Sequence, residues 1–200
     1  MDFTSRKTQR ILTRILRYAS GSPTIATLAE ILRMTHVGVW KALKKLEADN
    51  ILTLKKIGNK DNSPYTVSLK WENPLVEKTL ALILEHEAAT QRRWVINFTA
   101  LKGKVDFLIL YGSMLVSSKK ANDIDVLSVV SKKGNILDIE RIVMQVQKTQ
   151  VKPIHNIICA PAGLKEELKK PNIALINAVK EGVVLFGQDK FVMFMRGVQQ

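Results

Sequence analysis

Two short apolar runs separated by a polar, basic interval constrain this chain more than any other feature. Phe107 to Leu110 ends at Tyr111-Gly112-Ser113, and a second run, reaching Val130, carries Asp123 and Asp125. Side chains alternate across a strand, so the two aspartates are expected to project from one face. Carboxylates so placed repel each other and are costly on a half-buried strand unless something positive sits between them. A divalent cation is the usual answer, and ligation by oxygen alone favours magnesium.

The Gly-Ser half supplies a second partner. With Gly112-Ser113 at a strand end followed by a helical turn, the missing side chain lets backbone amides approach an anion, and the hydroxyl adds a donor. That arrangement cradles phosphate. The two halves together describe a nucleoside triphosphate with a metal against its phosphates, set for in-line displacement. Each piece alone has an ordinary reading: Gly-Ser as a turn, Asp-Ile-Asp as an edge strand whose solvated acids discourage aggregation. The ordered pair between two apolar strands is the specific signal.

Over about half the chain the sequence resembles the nucleotidyltransferase superfamily of the DNA polymerase β type, especially its minimal prokaryotic members. Gly112-Ser113 and Asp123-Ile124-Asp125 carry the resemblance, and Glu181 to Gly187 looks like the ending of those minimal members. The resemblance implies an α/β (α+β) fold, with a mixed sheet flanked by helices. It implies nucleotide-binding roles for Gly112 and Ser113, and catalytic, metal-holding roles for Asp123 and Asp125. The implied ligands are an NTP, as substrate or ligand, and Mg2+.

Composition points to a polyanionic partner. The 200 residues carry a formal net charge of +13, with 46% hydrophobic residues typical of a packed protein, and the pI is near 9.9. Both parts of the chain are basic: residues 1 to 74 hold thirteen Lys/Arg against six Asp/Glu. Cys159 is the only cysteine, which fits a reducing cytosol and reads as a small buried hydrophobe. His36, His86 and His155 show no metal-ligand spacing, so no zinc site is expected. The start, MDFTSRKTQR, lacks the apolar core of a signal peptide, and no apolar segment is long enough to span a bilayer. A cytoplasmic protein with no membrane partner is the expectation.

The first seventy residues read as three helices and a hairpin. Ile11, Leu12, Ile15 and Leu16 recur at helical spacing between Thr4 and Ala19; Gly21-Ser22-Pro23 stops that helix, and Thr24 caps the next. Val39, Trp40, Leu43 and Leu46 mark a third helix, followed by alternating runs at Ile51 to Ile57 and Tyr65 to Leu69 around a polar turn. The stretch LAEILRMTHVGVWKALKKLEADNIL resembles the winged helix-turn-helix of bacterial and archaeal transcription regulators. The resemblance implies DNA as partner, with Thr35, His36, Lys41, Lys44 and Lys45 on or near the outward face of helix three and Lys55, Lys56 and Lys60 on the wing. Lysines are point charges suited to phosphate, so Thr35 and His36 are the candidates for reading bases.

A boundary is expected at Trp71 to Pro74, giving a DNA-binding domain over 1–72 and a nucleotidyltransferase-like domain over 73–200, with a connecting helix over 73–100. That helix is apolar on more than one side, which leaves a homodimer interface and an ordinary interdomain helix both open. Asn135 is expected to cap a helix with the stripe Ile136, Ile139, Ile142, Val143 and Val146; a strand over Val151 to Ala160, two helices and a strand over Val183 to Phe186 follow.

Family members that catalyse transfer place a third carboxylate on the strand after Asp-x-Asp. Here that strand reads Val151 to Ile158 and contains no acid; His155 or Asn156 stands in its place. Asp138 and Glu140 precede it on a helix. Three readings therefore stand: a DNA-binding nucleotidyltransferase, a degenerate transferase-fold regulator that binds nucleotide without turnover, and an antitoxin that pairs with a toxin and represses its own operon.

Overall fold

A computed structural model describes residues 5–19, 21–60, 63–131, 136–170 and 172–200. The chain is α+β and divides into two compact units, Met1–Ile83 with Met195–Gln200, and Leu84–Phe194. Each is described by itself.

The first unit begins with α1 (Arg6–Leu16), α2 (Ile25–Leu32) and α3 (His36–Ala48). Ile11, Leu12, Ile15 and Leu16 form one buried stripe of α1. Thr24 caps α2 by accepting from the Thr27 amide at 3.1 Å, and Thr35 caps α3 by accepting from Gly38 at the same distance. Each cap satisfies an amide that a helix start leaves without an internal partner. At the other end of α2, Arg33 is left-handed (φ 52°), and Arg10 donates to the last carbonyl, Leu32 O, at 2.8 Å.

Strands β1 (Leu52–Lys56) and β2 (Tyr65–Leu69) pair antiparallel from Leu52 opposite Leu69 to Lys56 opposite Tyr65. A bridge between Thr24 and Thr66 adds a third edge to this hairpin. Leu28, Val39, Leu43, Ile51, Leu52 and Val67 are all fully or almost fully buried. The elements expected in this part of the sequence are all present.

Helix α4 (Pro74–Ala89) starts at the expected Asn-Pro signal, where Asn73 Oδ1 accepts from Leu75 N at 3.0 Å. The division between the two units falls inside it, at Ile83 and Leu84, rather than at its start. It does not run on to residue 100. Thr90 Oγ1 bonds back to Glu87 O at 2.7 Å, and Thr90 N and Gln91 N donate to the carbonyls of Glu87 and Ala88, three residues behind each. Tightened bonding of that kind ends an α-helix. The chain restarts as α5 (Arg92–Asn97) and a 3-10 turn, Thr99–Leu101. The redirection buries Trp94, Phe98 and Leu101 in the second core, which one straight helix would not deliver.

The second unit is a four-stranded mixed sheet in the order β5-β4-β3-β6. Central strand β3 (Phe107–Tyr111) is buried at all five positions. It pairs antiparallel with β4 (Ile124–Val129) and β6 (Val183–Phe186), and β4 pairs parallel with β5 (Ile154–Cys159). Leu108, Leu110, Ile124 and Val126 face a cluster completed by Trp94, Phe98 and the stripe Ile139, Val143, Val146 of α7 (Ile136–Gln147). The expected Asn135 cap lies outside the described residues.

On the opposite face Phe107 meets Phe191 edge-on at 5.4 Å. Short helices α6 (Ser113–Val116) and α8 (Pro161–Glu167), together with α9 (Ile173–Glu181), complete the alternation. A terminal helix, α10 (Gln188–Gln199), extends past the last strand expected from the sequence; its Phe191, Val192 and Met195 are buried. Among the described residues no helix is long and apolar enough to cross a membrane.

Candidate functional site

Where β3 runs out, Tyr111 lies opposite Asp125 of β4. The chain then turns at Gly112, with φ 80° and ψ −158°, into the single turn of α6. That backbone region is essentially closed to residues with a Cβ. A Cβ on Gly112 would also collide with Oδ2 of Asp125, with the carboxylate carbon 3.3 Å away. The glycine therefore brings main chain directly alongside the acid. Leu115 N donates to Gly112 O and Ser117 N to Ser113 O, closing the turn. Four residues are too few for a useful helix dipole, so the groups offered to an anion here are individual amides and the Ser113 hydroxyl.

Asp123 precedes β4 and Asp125 is its second residue; their carboxylates converge with the imidazole of His155. One ligand atom from each of the three lies within 4.8 Å of the others. His155 Nδ1 is 3.6 Å from an oxygen of Asp123 and 3.6 Å from one of Asp125. The cause is register: in the parallel β4/β5 ladder His155 is the partner of Asp125, so both side chains emerge on one face.

Burial raises the Asp125 carboxyl above its ordinary value, the charge of Asp123 adds to the rise, and His155 offsets part of it. Burial raises the Tyr111 phenol in the same way, helped by Asp125 and Asp123. Tyr111 is thus a neutral hydroxyl beside a doubly anionic pocket, a neighbour whose role no local sequence signal marks. This concentration of like charge with room for a small ion is the donor chemistry of a divalent cation site.

Of the two residues left open for the third position, His155 is the one at the site. Asn156 faces the other side of the sheet, where Ser128 Oγ donates to its Oδ1 at 2.8 Å. Asp138 and Glu140 are also elsewhere. Asp138 pairs with Arg141 at 3.2 Å, and Glu140 lines a cleft with Asn156 on the opposite face. The cluster therefore joins two carboxylates and an imidazole, the histidine being one of the two residues left open for the third position.

Two side chains outside the pocket fix its parts. Gln147 Oε1 accepts from Ile154 N at 2.6 Å, and its Nε2 donates to Lys152 O at 3.1 Å, which pins the start of β5. Lys152 Nζ donates to Ser118 O at 2.8 Å and also to Ala121 O. It thereby holds the loop between α6 and Asp123. Cys159, further along β5, has its thiol pushed up to about 11 by burial and stays protonated. Beside α6 lies an open cleft of about 580 Å³ lined by Thr90 to Trp94 and Met114 to Lys119. Arg92, Arg93 and Lys119 line it, and among the described residues no carboxylate does.

In the first unit Thr35, His36, Lys41, Lys44, Lys45, Lys55 and Lys60 are exposed, and Lys56 is half-buried. They are not equivalent. Lys44 Nζ pairs with Glu47 at 2.9 Å and sits 5.1 Å from the centre of the Trp40 ring. Lys41 and Lys45 have no such partner among the described residues. Trp40 of α3 packs on Tyr65 of β2, ring centres 5.3 Å apart, joining helix and hairpin into one surface. In α4, Val76, Leu80 and Leu84 are buried while Leu75 and Leu82 are exposed.

No protein-family model matches this chain, and no curated protein or solved structure matches it significantly.

Proposed function

We propose that this is a DNA-binding protein whose second unit binds a nucleoside triphosphate and transfers its nucleoside monophosphate to an acceptor hydroxyl. The observation that carries the reading is the convergence of Gly112 with Asp125 and Asp123 at the ends of adjacent strands. Phosphate is held by the main-chain amides of the turn at Gly112 and by the Ser113 hydroxyl, and the missing side chain at Gly112 lets the Asp125 carboxylate lie directly against that turn. Asp123 and Asp125 hold a divalent cation, magnesium by the family resemblance. When bound, such an ion neutralises charge on the phosphates and on the leaving pyrophosphate. Tyr111 supplies an uncharged hydroxyl at the same rim. The acceptor approaches from outside the pocket; the cationic cleft beside α6 supports an acceptor that itself carries phosphate.

The three-helix and hairpin unit is read as a winged helix-turn-helix that lays α3 on DNA with the hairpin turn as wing. The exposed lysines supply phosphate contacts, and Thr35 and His36 stand at the start of α3, where base edges are within reach. Incubation of the full chain with labelled NTP, divalent metal and nucleic-acid or protein acceptors tests the transfer. Pyrophosphate release that Asp125→Asn abolishes is the expected result, and the absence of release with every acceptor class overturns it.

One observation favours a second reading, a regulator that binds nucleotide without turnover: β5 presents His155 to the site instead of a carboxylate. Its signature is DNA affinity that shifts when nucleotide is added, with no pyrophosphate formed.

A further inference from the structure

We infer that His155 is the third ligand of the cation site, and that its nitrogen makes the site select a first-row transition ion over magnesium. This rests on the reading in which Asp123 and Asp125 hold a cation, and it changes which cation.

The distances separate a ligand from a mere neighbour. His155 Nδ1 stands 3.6 Å from a carboxylate oxygen of each aspartate. That is too long for a good hydrogen bond to either acid. Metal–ligand bonds of about 2.1 Å place neighbouring ligand atoms about 3.0 to 3.4 Å apart around one ion. A small rotation of the exposed imidazole closes that difference. The imidazole is equidistant from the two acids, an arrangement that suits a shared ion better than a one-to-one ion pair.

Core filling does not explain the histidine. Its side chain is 60% exposed, whereas the carboxylates are 33% and 23% exposed. Among the described residues no other acid joins the cluster. Asp138 and Glu140 belong to α7, which packs on the other face, and Asn156 is bonded to Ser128 there. The backbone of β5 is fixed by Gln147 through Ile154, one residue before the imidazole. The third donor is therefore placed by the sheet, not by a free loop.

The chemistry follows from the donor. Magnesium is a hard ion that demands oxygen and gives up water reluctantly. Imidazole nitrogen suits borderline first-row ions, and affinity rises along that row above its level for manganese. Two carboxylates and one neutral imidazole balance a double positive charge and leave positions open for phosphate oxygens.

The test uses the full chain and manganese as the probe, titrated in excess magnesium, with pulsed electron paramagnetic resonance as the readout. Wild type is expected to retain manganese and to show coupling to an imidazole nitrogen. His155→Gln is expected to lose that coupling and to weaken manganese by at least roughly tenfold. His155→Asp is expected to bind without nitrogen coupling and to let magnesium displace manganese. Nitrogen coupling absent from wild type, or retained in His155→Gln, overturns the inference. If Asp125→Asn abolishes manganese binding while His155→Gln leaves it unchanged, the histidine role fails and the aspartate site stands. If neither substitution alters binding, both fail together.

Discussion

The main chain at Gly112 lies against the Asp125 carboxylate so closely that no Cβ fits between them. The positive φ and the close approach act together: one would strain any other residue, and the other would push the acid out of place. Gly112→Ala is therefore expected to cost about 1–3 kcal/mol in stability and to abolish nucleotide binding. Ser113→Ala, which removes only a hydroxyl, should weaken nucleotide binding and leave stability unchanged. Thermal melts beside nucleotide titrations separate the two. A Gly112→Ala protein with wild-type stability and nucleotide affinity contradicts the cradle.

Asp125, ionised at neutral pH, lowers the stability of the folded protein there. Burial and the neighbouring Asp123 charge raise its carboxyl above the ordinary 3.8. A group whose folded pKa is raised binds its proton better when folded, so this contribution to stability is complete below 3.8 and is lost as pH rises through the raised value. Metal-free Asp125→Asn should then melt higher than wild type at pH 7, with the gap closing below about pH 4. Added divalent ion should stabilise wild type and not the variant. Equal melting temperatures at pH 7 contradict the strain.

Much of this site was legible because its parts are local. Tyr111-Gly112-Ser113 announces a strand end, Asp123-Ile124-Asp125 announces a shared face, and Thr24 and Thr35 announce helix starts; each signal lies within a few residues of what it determines. No such local signal chose between His155 and Asn156 for the third position. The place of His155 depends on the register of a parallel pair, set by the β5 connection and Gln147, and a shift of one residue would have presented Asn156 instead. The break at Thr90 was hidden for the same reason. Helical periodicity continues through it, and only the demand of a distant core for Trp94 and Phe98 interrupts it. The terminal helix follows a strand and glycine that resemble an ending, and its buried stripe of Phe191, Val192 and Met195 is too brief to announce a helix by itself.

The lysines of α3 should divide into two classes on DNA. Lys41 and Lys45 are exposed, whereas Lys44 is held by Glu47 and by the Trp40 ring. Removing one phosphate-binding charge lowers the slope of log affinity against log salt by about 0.9. Lys41→Ala and Lys45→Ala should each reduce it by about that much, across all sequences alike. Lys44→Ala should reduce it less, because its charge is already shared. Fluorescence anisotropy across a salt series measures this, and a larger effect at Lys44 contradicts the assignment.

Asp106 ties the far end of the sheet together and gives a pH dependence of opposite sign. Burial raises its carboxyl, but hydrogen bonds from Lys190 and Ser131 outweigh that and hold it below its ordinary value. Its Oδ1 accepts from Lys190 at 2.7 Å, and its Oδ2 accepts from Ser131 N at 2.6 Å. A depressed carboxyl contributes stability above its unfolded value of 3.8 and loses it as pH falls through the folded value. Asp106→Asn should cost about 2 kcal/mol at pH 7, with the difference from wild type shrinking in acid below about pH 4. A pH-independent difference contradicts the linkage.

Gln147 offers the cleanest separation of placement from ligation, since it touches neither acid nor imidazole yet sets where β5 begins. Its Oε1 accepts the Ile154 amide, and its Nε2 reaches the carbonyl of Lys152 on the incoming chain. Removing it strips a part-buried amide of its acceptor, a loss of about 1–3 kcal/mol. The larger consequence is positional: with the first residue of β5 released, His155 no longer sits fixed opposite Asp125. Gln147→Ala should weaken manganese binding without removing a ligand, and Gln147→Glu, which keeps the acceptor for Ile154 but sets a carboxylate oxygen against the carbonyls of Lys152 and Gln150, should recover only part of it. His155→Gln in a Gln147→Ala background should then add little further loss, because the histidine was already displaced. Full additivity of the two substitutions, measured as manganese affinity, would mean that Gln147 stabilises the fold but does not place the imidazole.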